Sequence, residues 1–316
     1  MTEEGPLHPT TGPLNPHGPP TPSPVRARGG DESLLPSPLR GRRRDVNLLP
    51  SPVRGGGAGG RGDPLRSIDV LGVRVDDVTY DEAVALIERW IAEGGPHVVT
   101  TPNPEIVMRA RRDPAFRQTL RRAALNVPDG VGLILAARLR GERFREHVRG
   151  TDLVHHLAAL GARHGHRWYL LGAADGVARQ AADRLQASYP GLIVAGAEPG
   201  SPRPEDDAAA WAAIRAAGPV DLILVAYGAP AQERWLERSL GPLAIPVGIG
   251  VGGVLNFLAG SVPRAPAWMR RLELEWLHRL IVQPWRWKRQ LELPKFAALV
   301  LQDAARAARR RRTPSR

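Results

Sequence analysis

The chain has 316 residues and no cysteine, which excludes disulfide frameworks, thiolate nucleophiles and Cys-ligated metal sites. Its formal net charge is +12, and fourteen basic residues against four acidic ones fall between Arg264 and Arg316, which points to an anionic partner: nucleic acid, phospholipid or a phosphorylated substrate. No apolar run approaches the roughly 18–20 residues of a membrane-crossing helix, and the first residues lack the apolar stretch of a secretory signal, so neither is expected.

Residues 1–66 are rich in Pro, Gly and Arg and carry no core-forming pattern. They repeat: SPVRARGG starts at Ser23, SPLRGRRR at Ser37 and SPVRGGGA at Ser51. The unit is too short and too Pro-rich for a solenoid. It reads either as a disordered basic arm or, preferably, as sequence translated upstream of the true start.

Periodic structure begins at IDVLGVRV (Ile68–Val75), which predicts one strand. Asp76 and Asp77 follow as expected caps for the helical TYDEAVALIERWIAEG, with Thr79 as N-cap and Gly94 as stop. Further strands are predicted over His97–Thr101, Ala124–Asp129, Arg167–Gly172, Leu192–Gly196, Asp221–Gly228 and Ile245–Gly250, with Ala- and Arg-rich helical stretches between them. Such alternation predicts an α/β domain over 67–262 whose mostly parallel sheet is covered by helices on both faces. A C-terminal helical appendage over 263–300 and a basic tail over 301–316 complete the expected organisation. In the appendage, Trp268, Leu272, Trp276 and Leu280 recur at helical spacing with Leu277 and Ile281 beside them, which predicts an amphipathic helix that either packs on its own domain or, preferably, lies on a membrane surface.

In sheets of this kind the ligand site lies beyond the carboxyl ends of the strands, so the residues just after each strand are the candidates. They are Thr101-Pro-Asn103-Pro-Glu105, Pro128-Asp129-Gly130, Gly172 to Gly176, Tyr227-Gly228 to Glu233, and Gly250 to Asn256. Glycines there let backbone approach a ligand closely, although each alone is more often a simple turn. Asp129, held between Pro and Gly, is the candidate for acid–base chemistry; the competing reading is a cap for the next helix. Asn103 and Gln232 suit sugar hydroxyls or a base edge, or they cap loops. His155, His156, His164 and His166 lack a nearby carboxylate pair, so no metal site is expected. On these features alone an NAD-linked enzyme and a nucleic-acid-binding protein stay open, against which stand the missing dinucleotide fingerprint and the helical setting of the tryptophans.

The ordered set TPNPE, VPDGVG, VRGTDL, YLLGAADGVARQAADRL, YGAPAQERW, VGIGVGGVLNFLAG, RAPAWM, LEWLHRL and QPWRWKRQ resembles the WecG/TagA/CpsF family of bacterial glycosyltransferases over about Ile68 to Leu293. The resemblance implies a Rossmann-like α/β fold with a C-terminal appendage that reaches the membrane. It implies inverting transfer of a sugar, typically N-acetylmannosamine or its uronic acid, from a UDP-sugar donor to a polyprenyl-diphosphate-linked sugar acceptor on the cytoplasmic membrane face. No metal or other cofactor and no nucleic acid is implied, and a homo-oligomer is left open. Position by position, Asp129 matches the family's general base, Thr101 and Asn103 its sugar pocket, Arg149 a pocket arginine and Gln232 a substrate-binding glutamine. Arg279, Arg286 and Arg289 resemble the appendage arginines that meet the diphosphates. Two positions depart from the pattern: Ala231, where the family often has Lys, and Asn256, a further substrate-binding candidate, where it often has Asp. Both bear on which donor fits.

Overall fold

The structure, a computed structural model, describes residues 65–284, 287 and 291–312, all within one compact unit. The repeat arm, Arg286 and Arg289 lie outside the described residues.

The first expected strand is instead an antiparallel hairpin, β1 (Ser67–Val70) and β2 (Val73–Asp76). Leu71 and Gly72 both take positive φ, at 53° and 90°, which is the backbone a two-residue hairpin turn requires. Asp69 Oδ1 accepts the Gly72 N–H at 2.8 Å and stabilises the turn. Asp76 and Asp77 do not cap the helix that follows. Asp76 accepts the Asn126 N–H at 2.8 Å and Asp77 accepts the Arg145 N–H at 2.7 Å, so both tie the hairpin end to neighbouring segments. The cap of α1 (Tyr80–Glu93) is Thr79, in a reciprocal box with Glu82, and Gly94 ends the helix with φ 76°.

Six strands form one parallel sheet: β3 (His97–Thr100), β4 (Leu125–Asn126), β5 (Arg167–Gly172), β6 (Ile193–Glu198), β7 (Leu222–Ala226) and β8 (Val247–Gly250), in the order β4-β3-β8-β7-β5-β6. With helices on both faces this is a Rossmann-like α/β fold. Alternate side chains of the central strands enter different cores. Leu222, Leu224, Trp168 and Leu170 join Ile87, Leu157 and Ala181, whereas Ile223, Val225, Tyr169 and Leu171 join Ile214, Trp235 and Leu236. A strand buried on both faces reads as a continuous apolar run, as LILVA does.

The remaining helices are α2 (Pro104–Arg112), α3 (Pro114–Arg122), α4 (Val131–Leu139), α5 (Gly150–His164), α6 (Val177–Ser188), α7 (Asp207–Ala216), α8 (Ala231–Leu243), α9 (Val254–Leu258), α10 (Ala267–Arg271), α11 (Glu275–Val282) and α12 (Glu292–Arg312). Two C-terminal expectations are corrected. The amphipathic helix from Trp268 is broken into α10 and α11 at Glu273, whose φ is +60°. The boundary at 300/301 falls inside α12. Its Phe296 and Val300 are buried with the hairpin, α2 and α4, and ion pairs from Glu292 to Arg112 (3.1 Å) and from Asp303 to Arg140 (3.0 Å) anchor it.

Gly172 ends β5 with φ 109°, and a Cβ there would lie 2.8 Å from the Ala226 carbonyl carbon of β7. Neither backbone can yield without breaking the ladder. Gly172→Ala is expected to lose about 2–3 kcal/mol in urea unfolding, from overpacking and a left-handed alanine together.

Candidate active site

The loops after β3, β4, β7 and β8 meet at one edge of the sheet. Thr101 is buried, and its Oγ1 donates to the Gly250 carbonyl at 3.1 Å, joining the ends of β3 and β8. Gln232, 2% exposed, joins β7 to β8: its Oε1 accepts the Gly228 N–H at 3.0 Å and the Gly252 N–H at 2.9 Å. Its Nε2 donates to Glu233 Oε1 at 2.9 Å. Burial pushes the Glu233 carboxyl up to about 7. Gln232 therefore braces the loops from beneath, and its carbonyl is fully used. Asn103 is the N-cap of α2, with Oδ1 accepting the Ile106 N–H at 3.0 Å. It also flanks the Asp129 turn, since a Cβ on Gly130 would lie 3.4 Å from its own Cβ.

Asp129 does not cap the helix that follows it. The N-cap of α4 is Gly130, without a side-chain bond. Asp129 Oδ1 instead accepts the Gly150 N–H, at 3.3 Å, at the start of α5. Its backbone N–H donates to the Pro102 carbonyl at 3.1 Å. Asp129 keeps a minor part of its surface open to solvent, yet its carboxylate is packed closely enough that desolvation is the largest influence on it. Burial pushes it up to about 7; the Gly150 N–H, Arg279 and Arg149 pull the other way, while Glu275 adds to the rise. A carboxyl that releases its proton near neutrality is matched to general base work.

The flanking charges come from the segment before α5 and from the C-terminal helices. Arg149, the N-cap residue of α5, sends Nη2 to Glu273 Oε1 at 2.6 Å and to the Arg270 carbonyl at 3.3 Å. Glu273 Oε2 lies 3.1 Å from Nδ1 of His147. His147 Nε2 accepts the Gly130 N–H at 2.9 Å. Arg264 pairs with Asp152 on α5. The Arg279 guanidinium lies against Gly253 and 4.5 Å over the Phe257 ring. The structure thus brings Thr101, Asn103, Asp129, Arg149, Gln232 and Arg279 to one crevice. Asn256 is bound locally instead: Ser261 Oγ donates to its backbone carbonyl at 3.1 Å. Arg286 and Arg289 lie outside the described residues. His147, Glu273 and Glu275 escape sequence reasoning. His147 stands two residues before Arg149 and directly precedes the VRGTDL motif, which is the one signal that points to it.

A separate cavity of about 440 Å³, lined by Gly94, Arg215, Asp221 and Pro246 among others, opens at the opposite, amino ends of β7 and β8. The crevice at Asp129 is preferred, because its carboxylate and arginines can perform chemistry. Among the described residues, no group of three or more His, Asp or Glu is placed to hold a metal ion.

Residues 68–310 match the model of the glycosyl transferase WecG/TagA/CpsF family. The chain is similar to an N-acetylglucosaminyldiphosphoundecaprenol N-acetyl-beta-D-mannosaminyltransferase of Bacillus subtilis (strain 168), 36% identical over 208 residues that span 65% of this chain and 79% of the relative. Its counterpart from Bacillus spizizenii is 33% identical over 213 residues, 67% of this chain and 81% of the relative. One from Staphylococcus aureus (strain NCTC 8325 / PS 47) is 30% identical over 224 residues, 70% of this chain and 86% of the relative.

Asp129 also shapes stability. The folded protein holds its proton up to about pH 7, whereas an unfolded carboxyl releases it near the ordinary value of 3.8. Ionisation therefore opposes folding: the cost is absent below the unfolded value, grows as pH rises, and is complete above about 7. Asp129→Asn keeps an oxygen for the Gly150 N–H and removes that cost. Urea unfolding is expected to show the variant about 2 kcal/mol more stable at alkaline pH, roughly half the full linkage value because some solvent contact remains, with the gap closing as pH falls towards 4.

Proposed function

The chain belongs to the WecG/TagA/CpsF family and is a glycosyltransferase; on that premise we propose that it is an inverting enzyme. It moves N-acetylmannosamine, or a related hexose or uronic acid, from a UDP-sugar to a polyprenyl-diphosphate-linked sugar, in bacterial cell-surface polysaccharide or teichoic acid synthesis. The relatives' names support the lipid-linked GlcNAc acceptor and the mannosaminyl group. The observation that carries the chemistry is Asp129, a carboxyl raised to about 7 in a crevice shared with Arg149 and Arg279.

In this reading ionised Asp129 takes the proton of the acceptor hydroxyl as its oxygen attacks the anomeric carbon. The bond from that carbon to the UDP oxygen breaks on the opposite face, and its electron pair leaves with UDP. Arg279, and Arg149 once it exchanges Glu273 for substrate, offset the charge gathering on the diphosphate. Arg286 and Arg289 join them from the same C-terminal segment. No metal is needed, because the arginines supply the positive charge. Thr101 and Asn103 line the sugar pocket. Gln232 acts by holding the β7 and β8 loops, and Asn256 bears on donor choice.

On the same reading the C-terminal segment docks on the inner face of the cytoplasmic membrane. Trp268, Leu272, Trp276 and Ile281 are 58%, 63%, 40% and 66% exposed, too much apolar surface in one short stretch for a purely wet face. No helix among the described residues is long and apolar enough to cross a membrane. Interfacial tryptophans with arginines fit peripheral docking on anionic lipid.

Two outcomes are expected. With a short-chain prenyl-diphosphate-GlcNAc acceptor and UDP-N-acetylmannosamine, UDP release should fall at least about 10²-fold in Asp129→Asn while UDP still binds, and the wild type should keep its rate in EDTA. Near-normal turnover in the variant removes Asp129 from the chemistry, and loss in EDTA that Mg²⁺ restores removes the metal-free scheme. In the second, replacing Trp268 and Trp276 by Ala should leave the urea midpoint nearly unchanged, since both are surface residues. It should weaken binding to anionic liposomes by about tenfold or more, and added salt should weaken wild-type binding too.

A further inference from the structure

The peptide that joins Asp129 to Gly130 is held from one side only by a side chain. Gly130 has φ 101°, begins α4 and has no capping side chain of its own helix. Its N–H points to Nε2 of His147 at 2.9 Å. With the Asp129 N–H bound to the Pro102 carbonyl at 3.1 Å, the backbone that carries the carboxylate is held by one hydrogen bond before it and one after it, beside the Gly150 N–H that the carboxylate itself accepts.

Accepting a hydrogen bond at Nε2 requires that Nε2 carry no proton, so the proton of the neutral ring sits on Nδ1. That atom lies 3.1 Å from Glu273 Oε2, close enough for the charge to act on the ring but off the line of a hydrogen bond. Glu273 belongs to the bend between α10 and α11 and holds a left-handed backbone, φ 60°. A non-glycine residue stays there only where its contacts outweigh the strain. Its contacts are His147 and Arg149. Burial pulls the His147 imidazole below its ordinary value, with Glu273 and Glu275 opposing and Arg149 assisting, so the ring is neutral near neutrality.

We propose that His147 is a positioning residue for Asp129, and that through Glu273 it joins the docking of residues 267–282 to the placement of the base. The inference rests on the reading of Asp129 as the general base. When the segment sits down, Glu273 orients the imidazole, and the imidazole fixes the Asp129–Gly130 peptide. When the segment lifts, or the ring gains a second proton, the Gly130 N–H loses its acceptor and the carboxylate drifts from its working position. Misplacement of a reacting group by about 1 Å can lower a rate about 10²-fold. Charged groups face the ring from each side: Glu273 at the bend, Glu275 on α11, Arg149 before α5, and Asp129 beyond the peptide it holds.

The test uses the full chain, with kcat and KM for UDP-N-acetylmannosamine measured across the acid limb in the wild type, His147→Ala, His147→Gln and Asp129→Asn. Glutamine can accept the Gly130 N–H but does not titrate. His147→Ala is expected to lower kcat about 10²-fold, with KM and UDP binding within about threefold of the wild type. His147→Gln should recover about tenfold or more of that loss. Its acid limb in log kcat should keep unit slope where the wild type steepens towards two, because two groups must be unprotonated in one and only Asp129 in the other. Equal losses in both His147 variants, a raised KM with kcat intact, or identical limbs in the wild type and His147→Gln overturn the proposal. If His147→Ala fails to bind UDP, the limb of His147→Gln decides alone. Full turnover in Asp129→Asn sinks the base reading itself. Lost turnover there, alongside unaffected His147 variants, sinks the positioning role only.

Discussion

Parallel pairing of β3, β8, β7 and β5 sends the loops after these strands to one edge, where their backbone groups have no strand partners. Buried N–H and C=O groups left unpaired there would each cost about 1–3 kcal/mol. Two side chains meet much of this demand. Gln232 serves the loops after β7 and β8 with one oxygen, and Thr101 closes β3 onto β8. Gly250 is needed for this, since a Cβ there would lie 2.8 Å from Gln232 Nε2. The glycine-rich loops are thus built around a glutamine before any ligand arrives. That is why Gln232 is better understood as a brace than as a ligand contact.

The braced edge can carry a carboxylate at a free-energy cost. Asp129 sits at the start of α5, where the helix dipole and the Gly150 N–H favour its charge, and desolvation still wins. The surrounding charges do not neutralise it directly. Of the two arginines that act on Asp129, Arg279 and Arg149, Arg149 is engaged by Glu273. If Arg149 bound Asp129 instead, the carboxyl would fall into the ordinary range and lose its basicity near neutrality. Glu273 protects the basicity of Asp129 by competing for the cation.

Much of this was legible in the sequence because strand ends carry distinctive residues. The order of strands and helices, the Thr79 and Gly94 boundaries, and the loops holding Thr101, Asp129 and Gln232 follow from apolar runs punctuated by Gly and Pro. What escaped depends on backbone or long-range terms. Leu71 is not a turn-forming residue, so the hairpin hid inside an apparent strand; the bend at Glu273 hid inside a helical repeat for the same reason. His147 gives no signal of its own, because its partners, Gly130 and Glu273, are 17 and 126 positions away in the chain. Arg-rich composition masked Phe296 and Val300, the two buried anchors of α12.

The basic and aromatic C-terminal segment is explained by its two unlike sides. Inward it presents Arg264, Glu273, Glu275 and Arg279, which pair with or act on residues of the crevice. Outward it presents Trp268, Leu272 and Ile281. A helix packed only for stability would reverse this, burying the aromatics and wetting the charges. Among the residues of α10 and α11 only Met269 is buried, so their own apolar packing offers little to hold them in place. Ion pairs hold them instead, and partly exposed ion pairs are weak, commonly about 0–1 kcal/mol each. A segment held this way can be displaced or reinforced by modest forces, such as the attraction of a lipid surface or an incoming diphosphate. On the proposed reading, weak attachment is what lets an element at the mouth of the crevice answer to a membrane on one side and to Asp129 on the other.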